Sequence, residues 1–173
     1  MPEDYQEEWA VVWGVNLDEA VRRSIEFHAS GIVGEYEPYE SAMPILRCLT
    51  NRFKLVAVTS RREILRPETD AWMSRHFPGI FQDLHYAGIW DRQLTQTNVQ
   101  EILAYTKAAL CSDLGVEYLI DDQPKHCISA AKDGVKTILF GDYKWNRFEH
   151  RLPEGIVQAS SWAEVGEYFN VQS

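Results

Sequence analysis

The sequence predicts an α/β protein built on a parallel sheet covered by helices on both faces. Three observations carry that expectation. From about Pro38 onward, short β-rich runs alternate with helical stretches, which is the pattern of βαβ units. The chain has 173 residues, the size of one domain with a full core. Hydrophobic residues make up 45% and charged residues 25%, an ordinary globular balance.

The strands are read first. Lys54-Leu-Val-Ala-Val58 is an apolar run ending in Thr59-Ser60-Arg61. A weaker run lies at Asp83-Leu-His-Tyr-Ala87. A third, Glu117-Tyr-Leu-Ile120, ends in Asp121-Asp122. A fourth, Val135-Lys-Thr-Ile-Leu-Phe140, ends at Gly141-Asp142, and a short fifth lies at Gly155-Ile-Val-Gln158. Helices are expected between them. Tyr39 to Asn51 places Met43, Leu46 and Leu49 at helical spacing. Pro67 to Phe77 opens on a proline and stops before Pro78-Gly79. Thr97 to Leu114 ends at Gly115, and Gln123 to Lys132 ends before Gly134. Ser160 to Phe169 begins with Ser161 and Glu164 in capping-box spacing.

Residues 1–37 admit two readings. Glu7 to Trp13 forms a helix stopped by Gly14, followed by a second helix, Leu17 to Ala29, capped by Asn16 with Glu19 three residues on. Alternatively, Trp9 to Val15 is a strand feeding that second helix. The two-helix reading is preferred.

The charge balance narrows the function classes. The net charge is −9 and the pI about 5.0, with no basic run. That disfavours a nucleic-acid polymer or an anionic membrane as partner, but allows a small anionic ligand at a locally positive site. Cys48, Cys111 and Cys127 form no CxxC pair and no disulfide framework. They fit small core residues in a reducing, intracellular compartment, most simply the cytoplasm. The acidic N-terminus has no signal-peptide pattern, and no apolar run reaches membrane-spanning length.

In such sheets ligands sit outside the carboxyl ends of the strands. The polar residues ending the strands therefore belong to one edge. Asp121 and Asp122 follow an apolar strand directly. Adjacent carboxylates repel unless a cation or donors offset them, and oxygen-rich sites suit Mg²⁺. The plainer reading makes Asp122 the cap of the next helix. Thr59, Ser60 and Arg61 offer hydroxyls, backbone N–H groups and a guanidinium for an anion, or else form an ordinary polar turn. Lys107 is a cation on the helix before the aspartate pair, or a solvated helix lysine. The loop Gly141-Asp-Tyr-Lys-Trp-Asn-Arg147 brings aromatic rings to the same edge, either over a ligand or packed on the C-terminal segment.

The order strand-Thr59, helix-Lys107, strand-Asp121-Asp122 resembles the second, third and fourth motifs of the haloacid dehalogenase-like (HAD) hydrolases. Within them it is most similar to the 5′(3′)-deoxyribonucleotidases. Further stretches that carry the likeness are Val56-Ala-Val-Thr-Ser-Arg61, Thr69-Asp-Ala-Trp72, His76-Phe-Pro-Gly-Ile-Phe81, Leu119-Ile-Asp-Asp122 and Phe140-Gly-Asp-Tyr-Lys-Trp-Asn146. The resemblance implies a Rossmannoid core over 38–173 with a small helical cap-like segment over 1–37, in one domain. It also implies phosphoryl transfer to an aspartate, with Mg²⁺ lowering the charge barrier. By motif, Thr59 would hold a phosphate oxygen, Lys107 would neutralise the nucleophile and phosphate, and Asp121 and Asp122 would hold Mg²⁺.

The family's first motif, a strand ending in Asp-x-Asp, has no counterpart, because the sequence contains no Asp-x-Asp. One alignment places Trp13-Gly14 and Glu19 to Phe27 on the cap helices, leaving the central strand and both catalytic aspartates absent. The other makes Ala10 to Val15 the first strand and Asn16-Leu17-Asp18 an imperfect Asp-x-Asp, with Asp18 in the acid/base position. An amide at Asn16 cannot perform the aspartate's displacement, so both alignments remove covalent catalysis by the usual route. The expectations are therefore a non-catalytic relative that binds a phosphorylated small molecule or nucleotide, an active nucleotidase whose sequence here lacks its N-terminus, or a scaffold subunit. The absent mid-sheet strand requires that its neighbours close up, that a new segment fills the gap, or that a homo-oligomer or protein partner covers it.

Overall fold

The computed structural model describes residues 9–87, 107–148 and 151–171. The chain opens with two helices, α1 (Trp9–Trp13) and α2 (Leu17–Ala29). The alternative strand at Trp9 to Val15 is not formed. Asn16 caps α2, its Oδ1 accepting from the Glu19 amide at 2.9 Å, while the Glu19 carboxylate turns to Arg22 and Arg23. Gly14 adopts φ 61° between the helices, a left-handed turn that suits glycine. Trp9 packs on Trp13 and on Phe27 and His28 of α2, so the N-terminal tryptophans close a helical hairpin.

The core elements follow in the expected alternation: α3 (Ala42–Thr50), β1 (Val56–Thr59), α4 (Arg66–His76), β2 (Asp83–Tyr86), α5 (107–113), β3 (Tyr118–Asp121), α6 (Pro124–Lys132), β4 (Lys136–Phe140), β5 (Ile156–Ala159) and α7 (Trp162–Phe169). β2 starts at Asp83 as read from the sequence, the other four strands start one or two residues later than read, and α3 and α7 also begin later than expected. The expected helix from Thr97 is described only from residue 107. Ser161 caps α7 by accepting from the Glu164 amide at 3.3 Å, but Glu164 returns to the Ser160 amide rather than to the cap residue itself.

All strand pairings are parallel, as βαβ units require, yet the strands form two sheets: β1–β2, and β3–β4–β5. Helices cover both faces of the larger sheet. Ile138 of β4 meets Ile45 and Leu49 of α3 and Val165 and Phe169 of α7. The next residue, Leu139, points to the opposite face and meets Cys127 of α6. Leu119 of β3 packs with Cys111 of α5 and Ala130 of α6. Ile138 and Leu139 are 0% exposed, and each contributes on the order of 2 kcal/mol by leaving water. Leu55 joins the core under the larger sheet to the cluster of Ala42, Leu46 and Ile80 beside the smaller one.

Among the described residues, the gap at the position of the expected first strand is not closed. β1 and β3 do not pair, and none of the five described strands lies between them.

Candidate functional site

Asp121 is the last residue of β3 and is buried. Its Oδ2 accepts from Lys107 Nζ at 2.7 Å. Its Oδ1 accepts from the Gln123 amide at 2.8 Å and from His126 Nδ1 at 3.1 Å. Burial by itself would raise the Asp121 pKa, but Lys107 and His126 outweigh it and hold the carboxyl well below the usual range. Asp122 behaves oppositely: burial and the neighbouring Asp121 charge push its pKa up. The repulsion expected of adjacent carboxylates is therefore relieved on one side only. The plainer reading also needs correction. Gln123, not Asp122, is the N-cap of α6, and it is the Asp121 side chain that satisfies an amide there.

The sequence reading did not single out His126. It is 1% exposed, and its Nε2 is buried with no hydrogen-bond partner among the described residues. An ionised carboxylate only accepts, so the proton facing Asp121 is on Nδ1. The available signal was its spacing: five residues past a strand-end Asp, in the first turn of the next helix, a ring folds back over that carboxylate.

Asn146 was likewise missed as a structural tie. It is 0% exposed. Its Nδ2 donates to the Phe140 carbonyl at 2.8 Å and to the Asp122 carbonyl at 3.4 Å, while its Oδ1 accepts from the Tyr143 amide at 2.9 Å. It fastens the loop after β4 to the end of β3. Within that loop Tyr143 and Trp145 stack at 4.3 Å, and Tyr143 Oη meets Tyr39 Oη at 2.6 Å.

The residues after β1 form a separate group. Thr59 Oγ1 accepts from the Arg61 amide at 3.1 Å, so one of the N–H groups expected to face an anion is already used. Ser60 is half-buried. Arg61 is half-buried, donates to Thr69 Oγ1 at 3.2 Å and lies 5.9 Å from the Trp72 ring. It has no salt-bridge partner among the described residues, and burial lowers its pKa; a guanidinium still stays charged there. Burial and the fields of Arg61 and Arg62 also lower the pKa of His28 on α2. Glu68 acts on both Arg61 and His28 with the opposite sign, and Glu37 lines the cavity on which Arg61 opens, so this corner is mixed in charge.

Arg61 opens on a cavity of about 300 Å³ walled by Tyr36, Tyr39, Trp72, Phe77, Phe81 and Trp162. Neither Thr59, Lys107 nor the aspartate pair lines it. Of the expected site residues, the structure joins Lys107 to Asp121 and Thr59 to Arg61. Asp18 sits in the first turn of α2, not at a strand end. The acid/base role of the second alignment therefore lacks the strand that would position it.

Mg²⁺ is the cation that the resemblance implies. Asp121 already serves three donors, one of them an ammonium. Asp122 is the remaining carboxylate, and its pKa is raised. Among the described residues no group of three or more His, Cys, Asp or Glu side chains is placed to hold a metal. A hard cation seeks several oxygen ligands, and the residues as arranged do not fit it.

No family model matches the chain, and no curated protein matches it. Among solved structures, the crystal structure of an L-2-haloacid dehalogenase is similar, with a TM-score of 0.55 and 17% identity, over 93% of this chain and 66% of the other. The chain thus spans about two thirds of that protein's length. At this identity the likeness shows the fold, which is the HAD-like Rossmannoid arrangement expected from the sequence. Among the described residues no helix is long and apolar enough to cross a membrane.

Proposed function

We propose that this HAD-like chain binds a phosphorylated small molecule carrying a flat ring, a nucleotide being the class that fits, and does not turn it over. The observation that carries this reading is Arg61, a half-buried guanidinium with no salt-bridge partner among the described residues, at an aromatic cavity of about 300 Å³. Guanidinium and phosphate match in charge and in bidentate geometry. Thr59 and Ser60 do not line this cavity, so the phosphate contact in this reading is Arg61. Trp72 and its aromatic neighbours supply faces on which a ring stacks. The volume is at the small end of ligand sites, which favours a monophosphate.

The charge arrangement supports the non-catalytic part of this reading. A phosphoryl-accepting carboxylate must be free to attack. Asp121 is tied to Lys107 and His126, and Asp18 is on α2. No metal step enters this reading. The intracellular setting and the lack of a nucleic-acid polymer partner are part of the proposal, supported by the acidic balance and the cysteine usage.

The test is calorimetric titration of the chain with a deoxynucleoside monophosphate, beside a phosphate-release assay. Saturable binding without phosphate release is expected, with binding weakened about tenfold or more by Arg61→Ala. Undiminished binding by that variant, or turnover by the chain, overturns the reading. A second reading is an active phosphatase whose nucleophile-bearing strand lies in polypeptide beyond this sequence, and the divided sheet favours it. An upstream extension that ends an apolar strand in Asp-x-Asp would then confer turnover.

A further inference from the structure

The cavity at Arg61 carries a second charge. Glu37 lines it together with Arg61, and the rest of its wall is chiefly aromatic. Among the described residues Glu37 makes no hydrogen bond and no ion pair, with Arg61 or with any other group. The carboxylate whose field reaches Arg61 is that of Glu68, so Glu37 and Arg61 stand apart on the wall. The cavity thus presents an anion and a cation that do not cancel each other.

The position of Glu37 is fixed by its neighbours. It lies between the short 3₁₀ helix Ile32–Glu35 and α3. On its N-terminal side the Tyr36 carbonyl accepts from Trp72 Nε1 at 2.6 Å, and the Gly34 amide donates to Glu68 Oε1 at 2.7 Å. On its C-terminal side the Tyr39 carbonyl accepts from the Ala42 amide at 2.9 Å, and Tyr39 Oη meets Tyr143 Oη at 2.6 Å. Pro38 disfavours helical backbone at Glu37. The carboxylate is exposed, but its backbone is held, so little ordering is needed when a ligand reaches it. A ring stacked in the cavity shields the carboxylate from water, which strengthens a charge-assisted hydrogen bond.

We propose that Glu37 is the residue that selects the ring, and that the base it favours is guanine. The inference rests on the phosphate reading, which puts the anionic end of the ligand at Arg61. Like charges keep that end away from Glu37, so the carboxylate is left to the edge of the ring. An ionised carboxylate only accepts, through two oxygens. Guanine presents its N1–H and its 2-amino group side by side, two donors for two oxygens. Adenine and cytosine each present an amino group beside an acceptor nitrogen, and thymine presents one N–H between two carbonyls. An acceptor turned toward the carboxylate is repelled and left unpaired, and a site built on hydrogen bonds rejects a ligand that lacks the matching donor.

The experiment is calorimetric titration of the 173-residue chain with deoxyguanosine monophosphate and with deoxyinosine monophosphate, which keeps the phosphate, the ring and N1–H but lacks the 2-amino group. The guanine nucleotide is expected to bind about tenfold tighter or more. Glu37→Gln, at an exposed position that costs no core packing, is expected to bring its affinity down to that of the inosine nucleotide. Arg61→Ala is expected to weaken both nucleotides by a similar factor. Equal affinity of the wild-type chain for the two, or a guanine preference that survives Glu37→Gln, overturns the role of Glu37. If binding in that case still depends on Arg61, the phosphate reading stands without it. Binding of neither nucleotide overturns the phosphate reading and the selection by Glu37 together.

Discussion

Lys107 Nζ and Asp121 Oδ2 lie 2.7 Å apart between two buried side chains. A buried pair of this kind is costly to break from one side, because the partner keeps its charge and loses its compensation. Asp121→Asn is expected to destabilise the chain by about 3 kcal/mol or more in urea unfolding. The double variant Asp121→Asn with Lys107→Met is expected to recover part of that loss. A fully additive loss would show that the pair is not coupled.

The same pair sets an acid limit. Asp121 is held well below its unfolded pKa of 3.8, so it binds a proton less readily when folded. Its stabilisation is complete above about pH 4 and declines as pH falls further toward the folded value. Equilibrium unfolding between about pH 5 and pH 2 should show this decline, and Asp121→Asn should flatten it. An unchanged acid profile in the variant would assign acid sensitivity to other groups.

Asn146 holds the loop after β4 by three hydrogen bonds. Asn146→Ala leaves the Phe140 carbonyl and the Tyr143 amide without that partner, at a cost of about 2 kcal/mol. The Tyr143 amide should exchange faster, and Trp145 fluorescence should change as its stacking on Tyr143 loosens. Exchange confined to its wild-type rate would remove the anchoring role.

Gly166 lies inside α7, where alanine ordinarily gains about 1 kcal/mol over glycine. Here an added Cβ would meet Ile45 Cδ1 at 2.8 Å and the Val171 carbonyl oxygen at 3.0 Å. The isoleucine terminus can shift, whereas the backbone carbonyl resists. Gly166→Ala is expected to lose about 1–3 kcal/mol, lowering the thermal midpoint by roughly 3–8 °C. A raised midpoint would mean that α3 and α7 pack less closely than described.

Magnesium provides a further check on the cluster at the end of β3. With Asp121 engaged by Lys107 and His126, millimolar MgCl₂ should shift the thermal midpoint by less than about 1 °C. A larger shift, abolished by Asp122→Asn, would show that Lys107 yields its place to the cation.

The sequence by itself determined the alternation of strands and helices, because apolar periodicity, caps and glycine stops act over a few residues. Asn16 and Glu19 ended the ambiguity of the first segment locally, and the structure bears out the two helices. Strand-end chemistry was legible for the same reason: Thr59, Asp121 and Asp122 follow apolar runs. Tertiary structure alone decided which of these groups meet. His126 and Lys107 reach Asp121 from two different helices, and Asn146 returns from the loop after β4; none of this is written in a local pattern. The same holds for the sheet. The absent strand was visible as an absent motif, but whether β1 and β3 would close over it depended on long-range packing. The helices and the shared core hold the two sheets as they are, and the backbone groups of Val56, Val58, Tyr118 and Ile120 remain without a ladder partner among the described residues.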